Sequence, residues 1–158
     1  MNLSFPWLRF DWLMRAAVVT CLMGSAGTLA AGDVDALYDA AGEGDAARVT
    51  TLLDGGVDIN GRTSDGSYAL NNAAVENRVA VMRILLDRGA DPNVQNSQGD
   101  TPLICATKYA GGEAATVKLL VESGTDLTVR DNKGKTALDY AKAKDERAAI
   151  ALLEQSEK

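Results

Sequence analysis

The sequence predicts an all-α fold, an α-solenoid of about four stacked helix-turn-helix repeats with short projecting β-hairpin loops. Two observations lead to this fold class. Glycines recur in two series with a common period, and residues that cap helices recur in phase with them. A single helix pair cannot bury both of its faces, so neighbouring repeats have to stack to form one continuous core.

The glycines set the period. Gly66, Gly99 and Gly134 each open a turn before a helix, and they are spaced by 33 and then 35 residues. A second glycine series closes the helices with the same two spacings. Since both series lengthen at the same place, we expect a two-residue insertion within 108–112. The predicted repeats are about 33–60, 61–93, 94–128 and 129–155, numbered 1 to 4 below.

The clearest start of a repeat is 98–103, Gln-Gly-Asp-Thr-Pro-Leu. Gly99 can supply the positive φ of a tight turn without steric cost. Thr101 is placed to cap the following helix with its hydroxyl. Pro102 takes the first helical position, where its missing N–H costs nothing. These six residues therefore predict a loop tip that leads directly into a helix.

The other helix starts vary this pattern. Thr136 repeats the capping threonine in repeat 4. In repeat 2 Tyr68 stands in its place, so we expect Ser67 to cap instead. Repeat 1 begins directly at a helix, with Asp33 as the predicted cap. Repeat 2 is therefore expected to be the less regular of the two inner repeats.

Residues 101–106, Thr-Pro-Leu-Ile-Cys-Ala, resemble the T-P-L-H-x-A signature of the ankyrin repeat family. In that family the histidine ties the turn through hydrogen bonds. Here its place is taken by Asn71, Ile104 and Asp139, of which the asparagine and aspartate are expected to substitute in part. Looser copies of the two halves of the repeat recur in phase at 52–60, 68–73, 84–93, 119–128 and 136–141.

The resemblance implies a protein-binding module that uses the concave face formed by the hairpin tips and the exposed side of the first helices. Tyr109 is the contact that we favour, because aromatic side chains carry a disproportionate share of interface energy. The acidic contacts fall toward repeats 2 and 3 and the basic ones toward repeat 4, so a partner of opposite polarity is expected. The expected contact residues are Ser64, Asp65, Ser67, Glu76, Ser97, Gln98, Asp100, Lys108, Tyr109, Asn132, Lys133, Lys135 and Lys144.

The N-terminal segment, 1–31, predicts a signal peptide, followed by the repeat domain at 32–158. Arg9 and Arg15 precede the uncharged run 16–31, and small residues at its end offer a cleavage site near Ala30 and Ala31. As a helix this run would span about 24 Å, which is short of a ~30 Å hydrocarbon core. We therefore expect export to the periplasm or secretion; an uncleaved anchor is the alternative.

The charge balance bears on partners. The chain has 16 basic and 22 acidic residues, a formal charge of −6. Residues 1–31 contain two arginines and one aspartate, so the remainder carries −7. Such a surface repels nucleic acid and anionic lipid. We expect neither nucleic acid nor stable membrane insertion of the processed chain, and we expect a monomer.

Catalytic and metal-binding patterns are sparse. The chain has no histidine, which excludes Ser-His-Asp and Cys-His nucleophile systems. Only Cys105 remains after the predicted cleavage, and one cysteine cannot build a structural zinc site. We therefore expect no catalytic residues, no cofactor and no metal. Two alternatives stay open: an enzyme that uses surface carboxylates, and a redox sensor that needs an exposed Cys105 thiol of low pKa.

Together these features predict a non-enzymatic protein–protein interaction module, resembling the small exported ankyrin proteins of bacteria. Two roles fit: a stress-protective or scaffolding partner of a periplasmic protein, and an immunity protein that occupies the active site of a toxin. The acidic charge slightly favours the second role.

Overall fold

A computed structural model describes residues 32–156 of the chain. The predicted signal peptide, 1–31, lies outside the described residues. None of the helices in the described part of the chain has both the length and the hydropathy of a membrane span. Eight helices occupy this part of the chain: α1 Gly32–Glu43, α2 Ala46–Asp54, α3 Ala69–Val75, α4 Val79–Asp87, α5 Pro102–Lys108, α6 Ala114–Glu122, α7 Ala137–Ala143 and α8 Arg147–Ser156.

The helices form two layers. The first helices of the repeats, α1, α3, α5 and α7, pack side by side in sequence order. The second helices, α2, α4, α6 and α8, pack in the same order in the other layer. Each first helix also packs against the second helix of its own repeat. This arrangement confirms the predicted α-solenoid.

The glycine series behaves as predicted. Gly66, Gly99 and Gly134 have φ of 85°, 78° and 74°, in the left-handed region that favours glycine. The insertion is also where the sequence placed it: α5 and α6 are joined by five residues, 109–113, whereas α3 and α4 are joined by three, 76–78.

The loops predicted as β-hairpins form tight turns without β-strands. Between residues 32 and 156 the backbone contains no β-strand. Each projecting loop tip is closed instead by two backbone hydrogen bonds. The first runs from Thr63 N–H to the Ser67 carbonyl at 2.9 Å, from Asn96 to Asp100 at 3.1 Å, and from Asp131 to Lys135 at 3.0 Å. The second runs from the N–H of the tip glycine to the carbonyl three residues earlier, at 2.9, 3.0 and 2.8 Å in the three tips.

The core lies between the two layers and is built from leucines and alanines. Leu70 and Leu103 on the first helices, like Leu85 and Leu120 on the second helices, are 2% exposed or less. Alanines such as Ala106 are completely buried, and their small side chains let the layers approach closely. The packing therefore matches the apolar positions that the repeat pattern marks.

The predicted threonine caps are confirmed. Thr101 Oγ1 accepts the backbone N–H of Ile104 at 3.3 Å. Thr136 forms a complete capping box: its hydroxyl accepts the N–H of Asp139 at 3.2 Å, and the Asp139 carboxylate accepts the N–H of Thr136 at 3.0 Å. Asp139 thus substitutes for the missing histidine by holding the start of its own helix.

The two other predicted caps are wrong. Tyr68, with an extended backbone, is the residue that precedes α3, and no side chain caps that helix. Ser67 lies one residue too early, and its backbone N–H is bound by the Thr63 hydroxyl at 2.9 Å. Asp33 lies inside the first turn of α1, which begins at Gly32. Repeat 2 is the less regular inner repeat, as expected.

Candidate functional site

We call the surface formed by the three loop tips, 63–67, 96–100 and 131–135, and the adjoining sides of α3, α5 and α7 the tip face. Of the predicted contact residues, Ser67 and Lys108 are half-buried there. Asp100 is fully buried, so its prediction as a surface contact is wrong. The others are exposed: Ser64, Asp65, Glu76, Ser97, Gln98, Tyr109, Asn132, Lys133, Lys135 and Lys144.

One side chain shapes each tip, three residues before the tip glycine: Thr63, Asn96 or Asp131. Asn96 Oδ1 accepts two backbone N–H groups of its tip, both at 2.9 Å. Asp131 Oδ1 does the same at 2.9 and 3.0 Å. Because one oxygen of the Asp131 carboxylate is sufficient for this role, its second oxygen is left for other contacts.

The tips are also tied to each other through the backbone. The N–H of Ser97 donates to the carbonyl of Gly66 at 3.1 Å, and the N–H of Asn132 donates to that of Gln98 at 3.1 Å. The Asn132 side chain adds a bond from Nδ2 to the Ser97 carbonyl at 3.2 Å. The exposed tip residues therefore stand on a connected backbone.

A buried ion pair lies beneath repeats 3 and 4. Lys108 Nζ is 2.9 and 2.8 Å from the two carboxylate oxygens of Asp100 and 3.5 Å from Asp131 Oδ2. Both aspartate side chains are 0% exposed, and that of Lys108 is 10% exposed. A cation at the end of α5 thus joins the start of its own helix to the tip of the next repeat.

Two tyrosines complete this site. Tyr109 donates its hydroxyl to Gln98 Oε1 at 2.7 Å, and Tyr140 donates to Asp131 Oδ2 at 2.6 Å. Lys108 Nζ is 5.1 Å from the ring centre of Tyr109 and 5.3 Å from that of Tyr140, within cation–π range. We call the five residues the Lys108 cluster: Asp100, Lys108, Tyr109, Asp131 and Tyr140.

The cluster is held in a fixed charge state. Burial alone would lower the pKa of Lys108, but the hydrogen bonds and charge of Asp100 outweigh it and the pKa is raised. Burial would raise the pKa of Asp131, but hydrogen bonds from Tyr140 and from backbone N–H groups of the tip outweigh it and lower that pKa to about 2. Neither group is poised for proton transfer at neutral pH, so the cluster is a structural element rather than an acid–base pair.

Tyr109 is the most accessible part of the cluster. Its side chain is 49% exposed, and among residues 32–156 it is the one large apolar side chain that solvent reaches to this extent. Because its hydroxyl is held by Gln98, the ring is fixed before any partner arrives. A fixed, exposed aromatic ring costs little entropy to bury, which suits an interface anchor.

The basic end of the tip face is partly engaged within the chain. Lys144 Nζ donates to the carbonyls of Thr107 and Lys108 at 3.0 and 2.7 Å, which satisfies the end of α5. Lys135 Nζ lies 5.4 Å from the ring centre of Tyr140. Lys133 is exposed, and together with Gln98 it lines a cavity of about 310 Å³.

The environment of Cys105 contradicts the redox-sensor alternative. The side chain is 2% exposed, and Asn71 Nδ2 donates to its Sγ at 3.5 Å. Burial raises the pKa of the thiol to about 12. A sensor thiol needs exposure and a low pKa, and Cys105 has neither.

Two residues that shape this face were not among the predicted site residues: Asp131 and Tyr140. The sequence does indicate a role for Asp131. When the tips are aligned on their glycines, Asp131 is equivalent to Thr63 and Asn96, the residues that shape the two other tips. No pattern in the sequence predicts the pairing of Asp131 with Tyr140 within repeat 4 or with Lys108 of repeat 3.

The family model for ankyrin repeats matches the sequence in three overlapping copies, over 15–96, 37–131 and 88–158. The chain therefore belongs to the ankyrin repeat family. Ankyrin arrays are protein-interaction modules, generally non-enzymatic scaffolds, and that is the class of protein defined here by the fold and by the tip face. A search of curated proteins finds no match.

Proposed function

We propose that this chain is an exported, non-enzymatic binding protein that holds one protein partner on its tip face. The observation that carries the proposal is Tyr109, a half-exposed aromatic ring fixed on a rigid support. Interface energy concentrates in such rings, often about 2 kcal/mol or more for one anchor. The other residues of the Lys108 cluster link the tip of repeat 3 to the tip of repeat 4 beneath this ring.

The charges around the anchor indicate how the partner is oriented. Asp65 and Glu76 are exposed at the repeat 2 end of the face, whereas Lys133 and Lys135 are exposed at the repeat 4 end. A partner with basic groups facing the first pair and acidic groups facing the second would associate faster than a neutral one.

The compartment and the role are part of the proposal. The predicted signal peptide supports export to the periplasm or to the outside of the cell. There the partner is either a protein that is protected or scaffolded under stress or a toxin whose active site is covered. The net negative charge of the repeat domain suits a basic toxin surface.

Site-specific crosslinking in the producing cells tests the binding face. A photoreactive phenylalanine analogue replaces Tyr109 in the full chain, and a matched variant carries it at Lys118, which is 63% exposed on α6 in the other helix layer. One dominant adduct from position 109 and none from position 118 is expected. Equal adducts from both positions, or none from 109, would contradict the proposal, and mass spectrometry of the adduct decides between toxin and protected protein.

Export has its own test. Cells are fractionated, and the intact mass of the protein is measured in each fraction. We expect a periplasmic or secreted protein whose mass corresponds to cleavage near Ala30 or Ala31. An unprocessed chain in the cytoplasm would remove the export part of the proposal and leave the binding part standing.

A further inference from the structure

A second cavity of the tip face lies beside Tyr109, where the first helices of repeats 1, 2 and 3 adjoin. Its volume is about 210 Å³. Tyr38 on α1 and Tyr109 after α5 line it from two sides, and Val75 on α3 lies between them. Since a protein cavity of about 150 Å³ can bind benzene, this cavity has the size for one aromatic ring.

The walls that an occupant would contact are accessible and fixed. Tyr38 and Val75 are half-buried, and the side chain of Tyr109 is 49% exposed. Gln98 Oε1 accepts the Tyr109 hydroxyl at 2.7 Å, and Asn72 Nδ2 donates to the Tyr38 carbonyl at 2.9 Å. Because these bonds already hold both walls in place, a partner loses little entropy in ordering them.

The lining carries no charge. Among residues 32–156, the other side chains that line the cavity are all neutral: Ser67, Asn71, Asn72, Asn96, Gln98 and Cys105. A charged group that entered would lose its hydration without meeting a counter-charge. An uncharged group pays no such cost and buries apolar surface, so the cavity favours an uncharged occupant.

The chain fills the equivalent space one repeat later. There the Lys108 ammonium lies between the carboxylates of Asp100 and Asp131, 5.3 Å from the ring centre of Tyr140. The residues that precede these four by one repeat are, in the order Lys108, Asp100, Asp131 and Tyr140, the neutral Val75, Ser67, Asn96 and Cys105. A long cation and an aromatic ring are thus replaced by two short apolar side chains. The space that a side chain of this protein occupies between repeats 3 and 4 is therefore open to a partner between repeats 2 and 3.

We propose that this cavity receives one uncharged aromatic side chain of the protein partner, a phenylalanine-like ring that packs between Tyr38 and Tyr109 over Val75. An aromatic ring fits better than an aliphatic side chain because aromatic pairs gain stabilisation beyond the area that they bury. The inference rests on the proposed function, the binding of a protein on the tip face, and it names the chemistry of the anchor on the partner's side.

The first test uses the purified protein as the cells process it, labelled for NMR at valine methyl groups and tyrosine rings, and three probes: N-acetyl-phenylalanine amide, N-acetyl-leucine amide and N-acetyl-arginine amide. A ring that packs over Val75 shifts the methyl resonances of that residue through its ring current. We expect saturable shifts of the Val75 methyls with the phenylalanine probe, binding about threefold weaker with leucine and about tenfold weaker with arginine. Equal binding of leucine or arginine, or no shift at Val75, overturns the proposal without any variant being needed.

The second test fills the cavity from within. Val75→Phe places a ring of the chain itself in the cavity and is expected to abolish the shifts that the phenylalanine probe causes in the rings of Tyr38 and Tyr109. Val75→Thr, of the same shape as valine, is expected to keep them. The amide spectrum shows whether both variants fold. Undiminished binding of the probe to folded Val75→Phe contradicts the proposal, as does an equal loss in Val75→Thr.

Failure here is separable from failure of the proposed function. If Val75→Phe and Val75→Thr both keep the crosslink from position 109 to the partner, the tip face binds a protein and the aromatic site is wrong. If the partner is lost only in Val75→Phe, both proposals are supported. If position 109 gives no adduct in the otherwise unaltered chain, the proposed function fails, whatever the probe titration shows.

Discussion

Repeats 2 and 3 have equivalent first helices and loop tips but different buried side chains. Their first helices start and end at equivalent residues, 69–75 and 102–108. In repeat 3 the two ends of the helix are joined by Lys108 and Asp100. At the equivalent positions repeat 2 has Val75 and Ser67, and its tip is organised by the hydroxyl of Thr63. The comparison shows that the fold does not require the ion pair, so the pair has a more specific effect.

That effect is to link neighbouring repeats and to fix Tyr109. Lys108 contacts a carboxylate of repeat 4, and it lies against the ring of the residue that follows it. A buried ion pair often adds little net stability compared with apolar side chains, but removing one partner is costly. The pair therefore determines one arrangement of the tips more than it determines the fold.

The largest expected effect comes from Lys108→Met. The substitution leaves the carboxylates of Asp100 and Asp131 buried without their cation, which costs about 3–5 kcal/mol of unfolding free energy. Val75→Met at the equivalent position of repeat 2 is expected to cost less than about 1.5 kcal/mol. Urea denaturation of both variants measures the contrast. Similar losses would mean that the two repeats do not differ in the way described.

The second effect is a pH dependence specific to repeat 4. The pKa of Asp131 is lowered to about 2 from an ordinary value of 3.8. A lowered folded-state pKa means that the ionised group stabilises the fold above pH 3.8, and that this contribution is lost as pH falls from 3.8 toward 2. We expect the unaltered protein to lose about 1–2 kcal/mol more over this interval than Asp131→Asn.

Asn96 makes the same tip bonds in repeat 3, so an asparagine can replace the structural role of Asp131 while removing its charge. Urea denaturation at pH 5 and pH 2.5 measures the difference. Parallel pH profiles for the two proteins would show that the ionised Asp131 contributes nothing to stability.

A third effect concerns the helix starts. Thr101→Val removes the hydroxyl that caps α5 and is expected to cost about 1 kcal/mol. At the equivalent position of repeat 2, Tyr68→Phe removes a hydroxyl that makes no cap and is expected to change stability by less than about 0.5 kcal/mol. Thermal unfolding compares the two, and a loss for Tyr68→Phe as large as that for Thr101→Val would remove this distinction between the repeats.

The smallest effect lies at Glu146, whose carboxylate lies against Gly112 of the insertion in repeat 3. The two carboxylate oxygens of Glu146 are buried without hydrogen bonds, and Lys144 Nζ is 3.8 Å away. Burial raises the pKa of Glu146, partly offset by the charge of Lys144. A raised folded-state pKa means that the ionised group weakens the fold progressively as pH rises above the ordinary 4.5.

Glu146→Gln is therefore expected to gain stability relative to the unaltered protein between pH 4.5 and pH 7, by about 1 kcal/mol or less. Denaturation at the two pH values measures this difference. If the stability advantage of Glu146→Gln instead shrinks as pH rises, the proposal that burial destabilises the ionised Glu146 is contradicted. Glu146 would then be better paired than the geometry indicates.

The sequence was sufficient for features that lie within one repeat. The period, the glycine turns, the threonine caps and the position of the insertion follow from local rules about φ and helix ends. Ser67 was predicted as a cap because it precedes Tyr68, but the competing bond from its N–H to Thr63 decides its role.

The site was less predictable because its contacts depend on how the chain folds back, within a repeat or between repeats. From the sequence, Asp100 is expected to be one more exposed tip residue. In the structure the Lys108 side chain folds back over it. The pairing of Asp131 with Tyr140 depends on the eight intervening residues adopting a turn and a helix. The free oxygen of Asn71 is visible only once its nitrogen is bound to the Asp100 carbonyl of the next repeat.

The link from Lys108 to Asp131 also bears on how single repeats open. It gives the interface of repeats 3 and 4 an ionic contact, whereas Val75 stands at the position equivalent to Lys108 in repeat 2. Stacked repeats open as neighbours coupled through their interfaces. Removing the charge of Asp131 is therefore expected to speed amide hydrogen exchange in repeat 4 more than in repeat 2.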